Sequence, residues 1–147
     1  TEEEIDRLLN VRLKRQEDWA ASETLLWAII DQAALEKHVG GELVMREHVK
    51  HLLAMAKHPR VDLQILPNSA GAHIALQSGS FVLLEADNPK LQVVYIEAHT
   101  RNLMLDHPTE VAAHRSLLDH LRATAASTQQ SQRLLQEILA RYESPEE

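Results

Sequence analysis

The sequence predicts an α/β (or α+β) domain: a mixed sheet of about four to five strands with flanking helices and a C-terminal helical pair. Two observations predict it. Residues 61–97 hold three β-rich runs, VDLQILP, SFVLLEA and LQVVYIEA. On either side, apolar residues recur at helical spacing, so the strands sit between helices that cover them.

The elements follow in order. Thr1-Glu2-Glu3-Glu4 has the pattern of a capping box. Ile5, Leu8, Leu9 and Leu13 then recur at helical spacing and predict an amphipathic helix from 2 to about 21. The apolar run at 25–30, containing Trp27, reads as a strand that ends at Asp31. Asp31 is placed to cap a short helix over 32–38, which Gly40-Gly41 terminates. A longer helix over 42–58 buries Met45, Val49, Leu52 and Ala56, and Pro59 stands just past its end.

Val61, Leu63 and Ile65 alternate with Asp62 and Gln64, the period of a strand with one polar face. Strand, helices and strand form a βαβ-like unit, so the two strands are expected parallel with a right-handed crossover. The runs FVLL at 81–84 and VVYI at 93–96 suit strands covered on both faces. DNPK at 87–90 supplies the turn of an antiparallel hairpin. Residues 102–105 add a short edge strand. Pro108 opens a helix reaching 124, and Ser127 with Gln130 forms a second capping box before a helix over 128–142. The tail 144–147 is polar and expected to fray.

At 147 residues the chain is one domain, 1–147. No apolar run approaches the roughly 20 residues of a membrane-spanning helix, and no basic-then-apolar opening marks a secretory signal. A chain without cysteine has no disulfide framework and no thiolate metal site, which fits a reducing cytoplasm. The net charge of −7 disfavours direct nucleic-acid binding, since 15 Lys and Arg are dispersed among 22 acids. The chain opens at Thr1 without Met, which leads us to expect an upstream domain.

The pieces RLKRQEDW (12–19), IIDQAALEKHVGG (29–41), VMREHVKHLL (44–53), VDLQILPNSAGAH (61–73), GSFVLLE (79–85) and VVYIEA (93–98) occur in this order. Their order and spacing resemble the domain of unknown function found C-terminal to an Xre-type helix-turn-helix in many actinobacterial transcriptional regulators. The resemblance implies a regulatory, partner-binding module whose DNA reading is done by a separate N-terminal domain. It also implies a small partner protein as much as a small-molecule effector. The resembled family carries no agreed catalytic residues, and it usually has an acid where this chain has Gln32.

For binding, residues 67–79 form a loop longer than packed elements usually need. It carries Asn68, Ser69, His73 and Gln77, and a ligand or partner is expected there, together with Glu97 and His99 at the end of a neighbouring strand. No catalytic residue, metal site, cofactor or membrane contact is expected. Of the nine histidines, His48 and His51 stand three apart on a helix but lack a third ligand at helical spacing. The enzyme alternative is a metal-dependent phosphodiesterase, nuclease-like, using strand carboxylates Asp62, Glu85 and Glu97. A domain serving a repressor-type DNA reader is also expected to dimerise. Leu117, Leu118, Leu121, Leu134, Leu135, Ile138 and Leu139 offer a surface for it, or equally serve to cover the sheet.

Overall fold

The computed structural model describes residues 1–88, 91–97 and 101–143, with Ala75 described by its backbone alone. The chain begins with helix α1 (Glu2–Ala20), then strand β1 (Leu26–Asp31), short helix α2 (Gln32–Leu35), helix α3 (Glu42–Met55) and strand β2 (Val61–Leu66). A 3₁₀ turn (Asn68–Ala70) and the short helix α4 (Ala75–Ser78) occupy the stretch expected to be a loop. Strands β3 (Val82–Glu85), β4 (Gln92–Ile96) and β5 (Leu103–Leu105) follow, and helices α5 (Pro108–Thr124) and α6 (Thr128–Glu143) close the order.

The mixed α/β class and the C-terminal helical pair are as expected. The five strands, however, divide into two hydrogen-bonded sheets, a parallel pair β1–β2 and an antiparallel β3–β4–β5. Parallel pairing runs from Leu26 opposite Val61 to Asp31 opposite Leu66. In the second sheet Val82 faces Tyr95 and Tyr95 faces Met104, with β5 at the edge. The turn at 87–90 lies partly, and the tail 144–147 wholly, outside the described residues.

The main core lies under the parallel pair. Val61, Leu63 and Ile65 of β2 meet Val49 of α3, Leu35 of α2 and Leu135 and Ile138 of α6. Only Asp62 of β2 is exposed: the expected polar face is covered too, with Gln64 buried, accepting from the Trp27 indole N–H and donating to the Ala126 carbonyl just past α5. Along β2, Ile65 is also served by α6 and the link that precedes it: its N–H donates to the Ser131 hydroxyl (2.8 Å) and its C=O accepts from the Ala126 N–H (2.9 Å). Those two bonds satisfy backbone groups that a buried strand cannot leave unpaired.

Local signals account for most helix ends. Ser127 and Gln130 form the expected reciprocal box, with Ser127 N–H donating to Gln130 Oε1 and Gln130 N–H to Ser127 Oγ. Asp31 Oδ1 accepts from the Ala33 N–H, capping α2. Gly41 takes φ +94° at the start of α3, a backbone conformation open to glycine. The capping box expected at Thr1 does not form; the Thr1 side chain makes no cap hydrogen bond, and Glu4 instead faces the terminal amine. The helix expected over 32–38 ends at Leu35, and the one over 42–58 ends at Met55.

Two expectations about covering differ. The run at 81–84 suits a strand buried on both faces, yet Val82 and Leu84 are 50% and 53% exposed, because helix α5 packs on one side of the second sheet only. Conversely, the leucines of α5 and α6 are spent inward: Leu121, Leu135 and Ile138 are buried and Leu134 and Leu139 pack against the core. The open apolar stripe belongs to α1, none of whose residues is buried.

Candidate functional site

A polar cluster forms where the two parallel strands end. Asp31 is the last residue of β1, and Leu66, Pro67 and Asn68 carry the chain out of β2 beside it. In α/β sheets, the crevice beyond the carboxyl ends of parallel strands is where ligands usually bind, because loops and helix starts converge there. Here the short helix α2 leaves Asp31 and places Gln32 and Glu36 one turn apart, on one face.

Glu36 is the hub. Its Oε1 accepts from Gln32 Nε2 (2.9 Å) and from Arg141 of α6 (2.9 Å), and its Oε2 accepts from Asn68 Nδ2 (2.9 Å). Gln32 Oε1 in turn accepts from the Asn68 N–H (3.0 Å). The bond from Gln32 is the largest influence on the Glu36 carboxyl; burial opposes it, and the bonds from Asn68 and Arg141 add to it, so the carboxyl is held below the usual carboxylate range. Gln32 acts as both donor and acceptor. A carboxylate at that position has no proton to give Glu36 and would repel it, so the amide suits this network.

The second half is a His–Asp pair. His73 Nε2 lies 3.4 Å from Asp31 Oδ2, while Asp31 Oδ1 is held by the Ala33 N–H. The His73 side chain is only 10% exposed, and its Nδ1 is buried with no hydrogen-bond partner among the described residues. Gly71, with φ +67°, makes the turn that brings residue 73 back over the strand ends. A buried ring nitrogen without a partner forgoes a hydrogen bond that water would supply.

Tyr142 closes the far side, its hydroxyl donating to the Leu35 carbonyl at 2.7 Å. Burial, and next the charge of Glu36, push the Tyr142 phenol above its ordinary value. Arg141 and Tyr142 therefore clamp the end of α6 onto α2.

The structure brings Asn68 and His73 into this cluster. Ser69 and Gln77 are exposed, and no hydrogen bond among the described residues ties either side chain to it. Glu97 follows β4 in the other sheet and likewise makes no bond to the cluster among the described residues. His99 lies outside the described residues. Sequence reasoning read Asp31 as a cap alone and passed over Glu36, Arg141 and Tyr142. The four-residue spacing of Gln32 and Glu36 was a usable signal; the pairing of Glu36 with Arg141 across 105 positions had none.

The carboxylates of the metal reading are scattered. Asp62 lies in the parallel sheet, and Glu85 at the end of β3 is paired with Arg115 of α5. Glu85 stands opposite Gln92, and Glu97 lies five residues further along β4, roughly 16 Å away along the strand. Among the described residues no group of three or more His, Asp or Glu is placed to hold a metal ion. No helix among them is long and apolar enough to cross a membrane.

Fold and side chains thus define a mixed α/β domain with a polar cluster at its parallel strand ends. The chain belongs to the DUF5753 family, a domain of unknown function, whose family model matches residues 1–137. No curated protein and no solved structure matches it.

Proposed function

We propose that this chain is the C-terminal regulatory domain of a helix-turn-helix transcription regulator of the Xre class. In this reading it receives a signal, from a small partner protein or a small-molecule effector, at the crevice beyond β1 and β2. The observation that carries the reading is the His73–Asp31 pair beside the Glu36 network. It is a hydrogen-bonding arrangement, partly open to solvent around a largely buried histidine, on the edge where parallel sheets take ligands, with one ring nitrogen left over. The acidic balance of the chain supports the assignment of DNA contact to another domain. The crevice also joins α2, the 67–79 segment and the end of α6, so an occupant there bears on three elements at once.

The rival metal-dependent phosphodiesterase needs Asp62, Glu85 and Glu97 in one place, and no observation favours it. The test is capture by this chain of the product of the small reading frame beside its gene, repeated with His73→Ala and Asn68→Ala. Capture by the parent chain, weakened at least about tenfold in both variants, supports the reading. Equal capture by parent and variants, or none by the parent, removes it.

A further inference from the structure

We propose that the outer edge of β1 is a strand-addition site for an extended segment of a partner protein. The segment carries aliphatic side chains at alternate positions and a Lys or Arg beside Asp31. The proposal does not depend on what binds the polar cluster.

Backbone direction defines the edge. The Leu26 N–H donates to the Arg60 carbonyl at 2.9 Å, so Leu26 turns its backbone groups toward β2. Bonding alternates along a strand of a parallel pair, so Ala28 and Ile30 also face β2 while Trp27 and Ile29 face away from it. On that outer side the N–H and C=O groups of Trp27 and Ile29 have no hydrogen-bond partner among the described residues. β1 packs closely on β2 and on α2, which leaves its own end, and Trp27 is 44% exposed. Across β2, by contrast, the outward groups of Ile65 are taken by Ser131 and Ala126.

An open edge is ordinarily guarded by Lys, Pro, a bulge or shortness. The run LWAIID at 26–31 has neither Lys nor Pro, and its register against β2 runs without a bulge. The edges of the second sheet, β3 and β5, are shorter, at four and three residues. Along β1, donor and acceptor recur together at every second residue, roughly 6.6 Å apart. Another extended backbone matches that repeat; a helix, whose own groups are bonded internally, does not.

Side chains specify the segment. Trp27, Ile29 and Asp31 alternate onto one face of β1, so a strand laid beside them meets an indole, an aliphatic and a carboxylate in turn. Aliphatics suit the first two positions and a base the third. The Asp31 side chain is 39% exposed, and Asp62, opposite Trp27 on the same face, is exposed without an ion pair among the described residues. The base nearest them, Arg122, is occupied, lying over the Trp27 ring and pairing with Asp119. A second copy fits poorly: its β1 holds no base to set against Asp31, and each chain carries a net charge of −7. An antiparallel segment makes the stronger ladder, which puts its base at the N-terminal end.

The test is a titration of the full chain, labelled with ¹⁵N, by the synthetic peptide KTVTVT, followed through backbone amide shifts up to millimolar peptide. Saturable shifts centred on Trp27 and Ile29 are expected. The same peptide with both valines N-methylated loses binding, because its donors to the edge are gone. ETVTVT binds at least about threefold more weakly than KTVTVT. Ile29→Pro removes only an outward N–H, the one placement a strand tolerates, and weakens binding roughly tenfold. Its melting temperature checks the fold, and the N-methylated peptide makes the same test on the unaltered chain. No shift at any concentration overturns the proposal, as do shifts centred on α1 or the second sheet. Equal binding by the N-methylated or the glutamate peptide overturns it as well. Trp27 and Ile29 amides that gain exchange protection as the chain alone is concentrated would give the edge to a second copy, and overturn it too.

Discussion

The parallel half of the molecule and the antiparallel half are built from similar residues and spend them differently. Around β1 and β2, helices α2, α3 and α6 converge, so that Val49, Ile65 and Leu135 are fully buried. Around β3–β5, one helix covers one face; Val94 is the only fully buried strand residue among those described there, and Val82, Leu84 and Met104 stay open. Both halves contain runs of branched aliphatics. The difference shows that a strand's composition states what it can bury, while the number of elements that reach it states what it does bury.

The largest way to break this contrast is in the parallel core. Leu135→Ala should cost about 2–5 kcal/mol, read as a lowered midpoint in urea with unchanged slope. Leu135 is fully buried in the core formed with β2 and α3, so the cavity cannot collapse easily. A loss under 1 kcal/mol would mean that the core repacks as freely as an open face.

A middle-sized effect belongs to the crevice that the parallel half carries. Glu36→Gln should cost about 1 kcal/mol at neutral pH through its charge-assisted bonds to Gln32, Asn68 and the largely exposed Arg141, whose contribution solvent screens. The sign follows from a carboxyl held below its ordinary value of 4.5. Its contribution is complete above that value and drains away as acid takes the pH down through the lowered one. Stability profiles of parent and variant should therefore converge in acid, and a gap that persists undiminished there would show that the carboxylate charge is not its source.

The smallest effect is expected in the antiparallel half. Leu84→Thr, at a 53%-exposed position on a strand, introduces a β-branched residue suited to strands and should change stability by no more than about 0.5 kcal/mol. A loss of several times that would mean the open face is covered in solution, and would sharpen the comparison by separating its two faces.

Much of the fold was legible in the sequence, for reasons that are local. The Ser127–Gln130 box, the Asp31 cap and the Pro108 start involve atoms within four residues of one another, so residue type and spacing suffice to state them. Alternation at Val61, Leu63 and Ile65 likewise announced a strand, and the intervening helices announced that it would run parallel to β1. The crevice was half legible: the length and side chains of 67–79 singled out Asn68 and His73. Ser69, Gln77 and Glu97 shared the same chemistry but stand apart, because chemistry does not say which way a turn carries a side chain.

What the chain alone determined, then, is which segments are helices and strands, which way neighbouring strands run, and an acid-rich, cysteine-free character. What only the tertiary structure decided is which apolar faces find cover and which distant polar groups meet. The separation into two sheets, the outward stripe of α1 and the grip of Arg141 on Glu36 are all of that kind. Periodicity and capping act over one helical turn and leave a trace in spacing; contacts spanning tens of residues depend on how whole elements pack, and leave none.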